Sequence, residues 1–317
     1  MNAGTTTPEQ NPKGGQPGRR FGDRAFSGLA TAAGVTILVV LAGVAAFLVS
    51  EAWPAITAPV ADLPNGETLL KYIWPLVFGT VFSATIAIVI AVPMAIAVAL
   101  FTSHLAPRPL SMSISYLTDL LAAIPSIIYG IWGIAVLGPA SVPVTEWLAD
   151  NLGFIPLFEG PASTTGRTML VAGFVLALMI LPIISAVARE VFQQTPKGLQ
   201  ESALALGATR WEMIRMVVLP FGRSAVVAGS MLGLGRALGE TMAVTIILSV
   251  SGAVTFNLIS SENPSTIAAN IALQFPESSG LSVNVLIATG LVLFAITLVV
   301  NMAARAIISR REALGGR

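Results

Sequence analysis

The chain of 317 residues is 55% hydrophobic and 10% charged, with a mean hydropathy of +0.82, where a soluble domain carries about 25% charged residues. That composition excludes a soluble globular fold and places the chain in lipid. A formal charge of +1 gives no basis for nucleic-acid binding, and the absence of Cys with a single His, His104, excludes disulfides and thiolate metal sites.

Residues 1–27, rich in Gly, Pro, Thr and Asn and basic at Arg19, Arg20 and Arg24, predict a disordered cytoplasmic tail. The apolar run Gly28–Ser50 outlasts the roughly 7–15 residue core of a signal peptide and is followed by other spans, so it predicts a retained first helix. With its external loop it forms a segment over 28–72. Further spans are predicted over 73–102, 112–137, 169–188, 223–250 and 284–308, each near the ~20 residues needed to cross the hydrocarbon. The expected fold class is therefore all-α, a polytopic membrane protein with six transmembrane helices. Its core runs over 73–308, its connecting loop over 189–222 and its C-terminal tail over 309–317.

With the N-terminus inside, every Lys and Arg falls on the cytoplasmic side except Lys71 and Arg167, which lie outside, and Arg236, which lies within span five. That bias predicts two cytoplasmic termini. Pro93, Pro125 and Pro182 interrupt spans two, three and four, either as kinks that shape a path or as ordinary membrane-helix prolines. In span five, Gly229, Gly233, Gly235 and Gly239 permit close helix contact. The external connections 138–168 and 251–283 each predict a short interfacial helix, a surface cap or a docking surface. Asp119, inside span three, is expected to be satisfied structurally.

Arg236 and Glu240 stand four apart in an apolar stretch, so a continuous helix would put them on one face. Charges retained at such depth mark either a structural ion pair between helices or a pathway. A guanidinium with donors to spare suits phosphate or another oxyanion, which makes Arg236 and Glu240 the candidate substrate path. No catalytic, cofactor-binding or metal-binding residue is expected. The three lysines, Lys13, Lys71 and Lys197, sit in no phosphate-cradling loop, so this chain is not expected to hydrolyse ATP.

The 189–222 loop reads as two short helices about a turn, "REVFQQTPKGLQESALALGATRWEMIRMVVLPFG". Within it, Glu201, Ala203, Gly207, Leu219 and Pro220 resemble the ATPase-coupling motif of ABC importer permeases, with Ser202 in place of the usual first Ala. "GLGRALGETMAV" from Gly233 and "DLLAAIPSIIYGIWG" from Asp119 are similar to segments of the PstC permeases of bacterial phosphate importers. The resemblance implies a type I ABC importer permease fold in the bacterial inner membrane. It also implies partners: a PstA-like permease, two PstB-like ATPase subunits that use ATP and Mg, and a PstS-like periplasmic phosphate-binding protein. A permease for sulfate or molybdate, a phosphate-sensing component with little flux, and a channel or secondary transporter are the competing readings.

Overall fold

A computed structural model describes residues 21–63, 66–248 and 251–315. The predicted tail lies, up to position 20, outside the described residues. The chain divides after Phe47 into two compact units. The first contributes the N-terminal part of helix α1 (Phe21–Thr57), whose apolar side chains, such as Val35, Leu38 and Leu41, are exposed. A helix apolar on its whole circumference is stable only in lipid or a protein core. The helix outruns the predicted Gly28–Ser50 at both ends.

The second unit contains the rest of α1 and eleven further helices among the described residues. They are α2 (Leu69–Leu100), α3 (Arg108–Ala123), α4 (Ser126–Trp132), α5 (Gly138–Leu152), α6 (Met169–Gln193), α7 (Lys197–Ala205), α8 (Arg210–Met213), α9 (Leu219–Leu238), α10 (Met242–Ile247), α11 (Ile267–Gln274) and α12 (Leu281–Gly315). Among the described residues six apolar helical stretches are long enough to cross a membrane, and the protein is all-α and multi-pass.

Helix α6 is the axis of this unit and packs most extensively on α2. A stripe of small residues makes that possible: Ala84, Ala87, Ala91, Ala95 and Ala99 recur every three or four positions on α2 and are fully buried. Small side chains let two backbones approach and gain dispersion contacts where lipid supplies no hydrophobic drive. Gly173 of α6 meets Ile86 so closely that a Cβ would lie 2.4 Å from its Cγ2. Elsewhere, the end of α1 buries Ala52 and Ala55 against Val285 and Ala288 of α12, and Asn284 donates from Nδ2 to the Glu51 carbonyl at 2.7 Å.

The proline expectations divide. Pro93 and Pro182 remain inside continuous helices, whereas Pro125 stands at the junction of α3 and α4. The predicted third span over 112–137 is consequently displaced: α3 is a separate amphipathic helix and the spanning stretch is Ser126–Leu152. Part of the predicted external connection 138–168 therefore belongs to that span. The predicted tail over 309–317 is helical to Gly315, as the end of α12.

Three π-helical turns, Phe101–Leu105, Gly133–Leu137 and Ile214–Val218, each end two residues before a proline: Pro107, Pro139 and Pro220. Proline offers no N–H and its ring clashes with the carbonyl four residues back. At Pro139 and Pro220, which continue into α5 and α9, that carbonyl, of Ala135 or Met216, lies inside the widened turn, whereas before Pro107 the chain has already left the helix at the extended Ala106.

Candidate functional site

Span five is not one helix. Helix α9 stops at Leu238 with Gly239 as its cap, Glu240 and Thr241 leave the helix, and α10 restarts at Met242. This break corrects the expected same-face pair of Arg236 and Glu240. Among the described residues the ion pairs are Lys71 with Glu67 and Arg189 with Asp119. Glu240 is buried, 7% exposed, and its Oε1 accepts from the Ala243 N–H at 3.2 Å. The carboxylate thereby satisfies an otherwise orphaned donor at the positive end of α10.

Arg236 is left exposed on α9 and makes no hydrogen bond or ion pair among the described residues. It shares its face with exposed Leu232 and Gly239 at helical spacing, and the adjacent Gly235, also exposed, has open space where a Cβ would stand. Tyr129 of α4 lies within electrostatic reach of this guanidinium, and its hydroxyl donates to the Leu121 carbonyl at 2.9 Å across the α3–α4 junction. A cation on a face lined by small residues can meet an anion and a second helix together.

Helix α10 is seated on α4. A Cβ on Gly130 would lie 2.9 Å from the Ala243 Cα, and one on Gly133 would lie 2.8 Å from the Ile247 Cδ1. Its other end meets a residue that sequence reasoning left aside: Arg167 donates from Nη2 to the Ile246 carbonyl at 3.1 Å and to the Leu248 carbonyl at 3.5 Å. The available signal was its rarity, as one of two basic residues on the acid-rich side.

Asp119 meets Arg189 across α3 and α6, with Oδ1 3.6 Å from Nη2, so its partner lies within this chain.

At the basic end of the bundle, α7 closes in a Schellman motif. The Gly207 N–H donates to the Leu204 carbonyl and the Ala208 N–H to the Ala203 carbonyl, with Gly207 at φ +88°, a left-handed conformation that glycine adopts without a Cβ clash. Helix α8 opens with a capping box: Thr209 Oγ1 accepts from the Glu212 N–H while Glu212 accepts from the Thr209 N–H. The Thr-x-x-Glu spacing announces this box in the sequence. Ala203 and Leu219 pack on a buried cluster that contains Phe192, Met213, Ile214 and Val218. Pro220 lies in the first turn of α9. Glu201 and Leu206 project outward, Leu206 at 89% exposed. The segment is thus anchored by its small and apolar motif positions and presents the remainder.

At the opposite, acid-rich end, the loops around 157–168 and 257–263 are stitched by backbone bonds, Ser163 N–H to Ile259 O at 2.8 Å and Leu258 N–H to Leu157 O at 2.8 Å. They border an open polar cleft of about 490 Å³ lined by Glu159, Thr164, Asn257, Ser260, Ser261 and Glu262 among others. The helix expected to lie at the interface in 251–283 is instead docked inside: the Ile267 N–H at the start of α11 donates to Thr80 Oγ1 at 2.9 Å. Among the described residues no three His, Asp or Glu side chains converge on a metal-sized site.

The family model of "Binding-protein-dependent transport system inner membrane component" matches residues 91–313. The chain is 46% identical over 304 residues to the Mycobacterium tuberculosis "Phosphate transport system permease protein PstC 2", covering 92% of this chain and 93% of the relative. It is 38% identical over 311 residues to a Mesorhizobium japonicum protein named "Phosphate transport system permease protein PstC", covering 94% of each. Its fold is similar to a subunit of a bacterial alginate ABC transporter solved in complex with an alginate pentasaccharide-bound periplasmic protein, with TM-score 0.60 and 16% identity over 92% of this chain and 98% of that one.

Proposed function

This chain belongs to the family of binding-protein-dependent transport system inner membrane components, and on that premise we propose that it is the phosphate-conducting permease subunit of an ATP-driven importer. The relatives named as phosphate permeases, which align with nearly the whole chain, support the substrate. The observation that carries the reading at the level of residues is the unpaired Arg236 on an uncovered face of small residues in span five. A second, PstA-like permease covers that face, and phosphate passes between the two chains beside the guanidinium.

Glu201 and the Leu199–Gly207 region dock on a PstB-like ATPase, two copies of which consume ATP and Mg outside this chain. Because Ala203, Leu219 and Pro220 root the coupling segment in the same rod as α9, a push on α7 reaches the helix that carries Arg236. A PstS-like receptor delivers phosphate to the opposite face, where the Glu159–Glu262 cleft opens. The chain sits in the bacterial inner membrane with both termini cytoplasmic, in keeping with its Lys/Arg bias. It binds no cofactor and performs no covalent step. An open, unbonded guanidinium also suits its release task, since a transport site must let its ligand go.

Radiolabelled phosphate uptake in cells lacking their own permease, supplied with this chain and its three partners, tests the reading. Uptake should depend on a working ATPase and resist excess sulfate or molybdate. Normal assembly without phosphate uptake would move the substrate to another oxyanion.

A further inference from the structure

Helix α10 has six residues, too few to hold its own shape, and it is held at both ends by side chains that satisfy its end groups. Glu240 takes the Ala243 N–H at the positive end, and Arg167 gives hydrogen bonds to the Ile246 and Leu248 carbonyls at the negative end. The two clamps differ in what they are attached to. Glu240 belongs to the break that follows Arg236. Arg167 belongs to the loop that precedes α6, where Gly166 at φ +71° turns the chain. A Cβ on Gly166 would lie 2.1 Å from the Gly138 carbonyl oxygen, so the turn that aims Arg167 has no freedom to shift toward α5. The backbone of Arg167 is tied across the cleft as well: Asn263 donates from Nδ2 to the Arg167 carbonyl at 3.4 Å and to the Ser260 carbonyl at 2.8 Å, while the Asn263 carbonyl accepts from the Ser251 N–H at 3.1 Å.

We propose that Arg167 is a positioning residue for translocation: it joins α10 to the 157–168 and 257–263 loops so that they move as one body and set the place of the Gly239–Thr241 break beside Arg236. A displacement of the loops at the acid-rich face then reaches the substrate path through the Arg167 side chain, beside the Ser251–Asn263 bond, without passing through the long helices. The role rests on the importer reading of the chain. It differs from substrate binding, in which the Arg167 Nε, buried and without a hydrogen-bond partner, would be the contacting atom.

The test compares Arg167→Gln and Arg167→Lys in the assembled complex by hydrogen exchange at residues 242–248 and by phosphate uptake. Arg167→Gln should speed exchange at the Thr245 and Leu248 amides about tenfold, the factor that corresponds to ~1.4 kcal/mol, while exchange in α2 and α6 stays unchanged. Maximal uptake should fall with the KM for phosphate unaltered. Arg167→Lys, which keeps the charge and donors, should restore most of both. Unchanged exchange at α10, faster exchange with normal uptake, exchange rising equally in all helices, or a raised KM with α10 undisturbed would each overturn the proposal. Exchange reports on the pin whether or not phosphate is the cargo, so a wrong substrate and a wrong pin give different results.

Discussion

Glu240 shows how much a single residue's chemistry depends on what its backbone does. The sequence places a carboxylate four residues after Arg236 in an apolar stretch, and that spacing means an ion pair only if the helix continues. Gly239 ends it, the carboxylate turns to the Ala243 N–H, and the arginine stays unpaired. The presence of two charges at membrane depth was legible; their separation was not, because the terminating glycine stands among three others, Gly229, Gly233 and Gly235, that remain helical. A cap and an ion pair predict different mutants. Glu240→Gln retains an acceptor for the Ala243 N–H and should leave the assembled complex nearly as heat-stable as before, whereas Glu240→Ala should cost about 1–2 kcal/mol, as loss of a helix cap does. An ion pair would make both variants equally damaging. Asp119 is a milder case: its contact with Arg189 is 3.6 Å long and its side chain is 57% exposed, so Asp119→Asn should change thermal stability by no more than about 1 kcal/mol.

Among the elements, the long apolar helices were readable from hydropathy, and the interruptions were harder. The predicted third span begins too early because α3 carries enough apolar residues, among them Leu117, Leu120 and Leu121, to extend the run across Ile124–Pro125. Only its amphipathic spacing separates it from a span. Prolines at positions 107, 139 and 220 each follow a π-helical turn, whereas Pro93 and Pro182 do not. Proline position alone therefore fails to tell a re-registered helix from a tolerated one. The 189–222 segment was legible in its two-helix form because its punctuation is local. Gly207 lies in open space, so its requirement is conformational and not steric. Gly207→Ala should cost about 1–2 kcal/mol for the left-handed backbone and should weaken co-purification of the ATPase, and Gly207→Asn should cost less. Equal binding by Gly207→Ala and the unmodified chain would show that the turn's geometry does not matter to docking.

At the scale of the whole molecule, the described structure has a well-buried axis in α6 and an uncovered surface on α9. Two thirds of the most apolar window of α6 is buried, against 28% for the stretch Arg210–Leu238. Among the described residues several spans besides α9 are as open as this, so it is the cation beside exposed glycines, not low burial, that supports the proposed second permease on that face. The number of spans and the two-helix form of the 189–222 segment followed from composition and local pattern. The break in span five and the Arg167 clamp required the folded chain, because residues 167 and 246 meet only through tertiary packing. The most direct measurement is phosphate uptake by the assembled complex with Arg236→Ala and Arg236→Lys, normalised to the amount of complex in the membrane. Arg236→Ala should assemble normally and lose nearly all uptake, and Arg236→Lys should keep a fraction of it. Uptake by Arg236→Ala equal to that of the unmodified chain would remove Arg236 from the phosphate path.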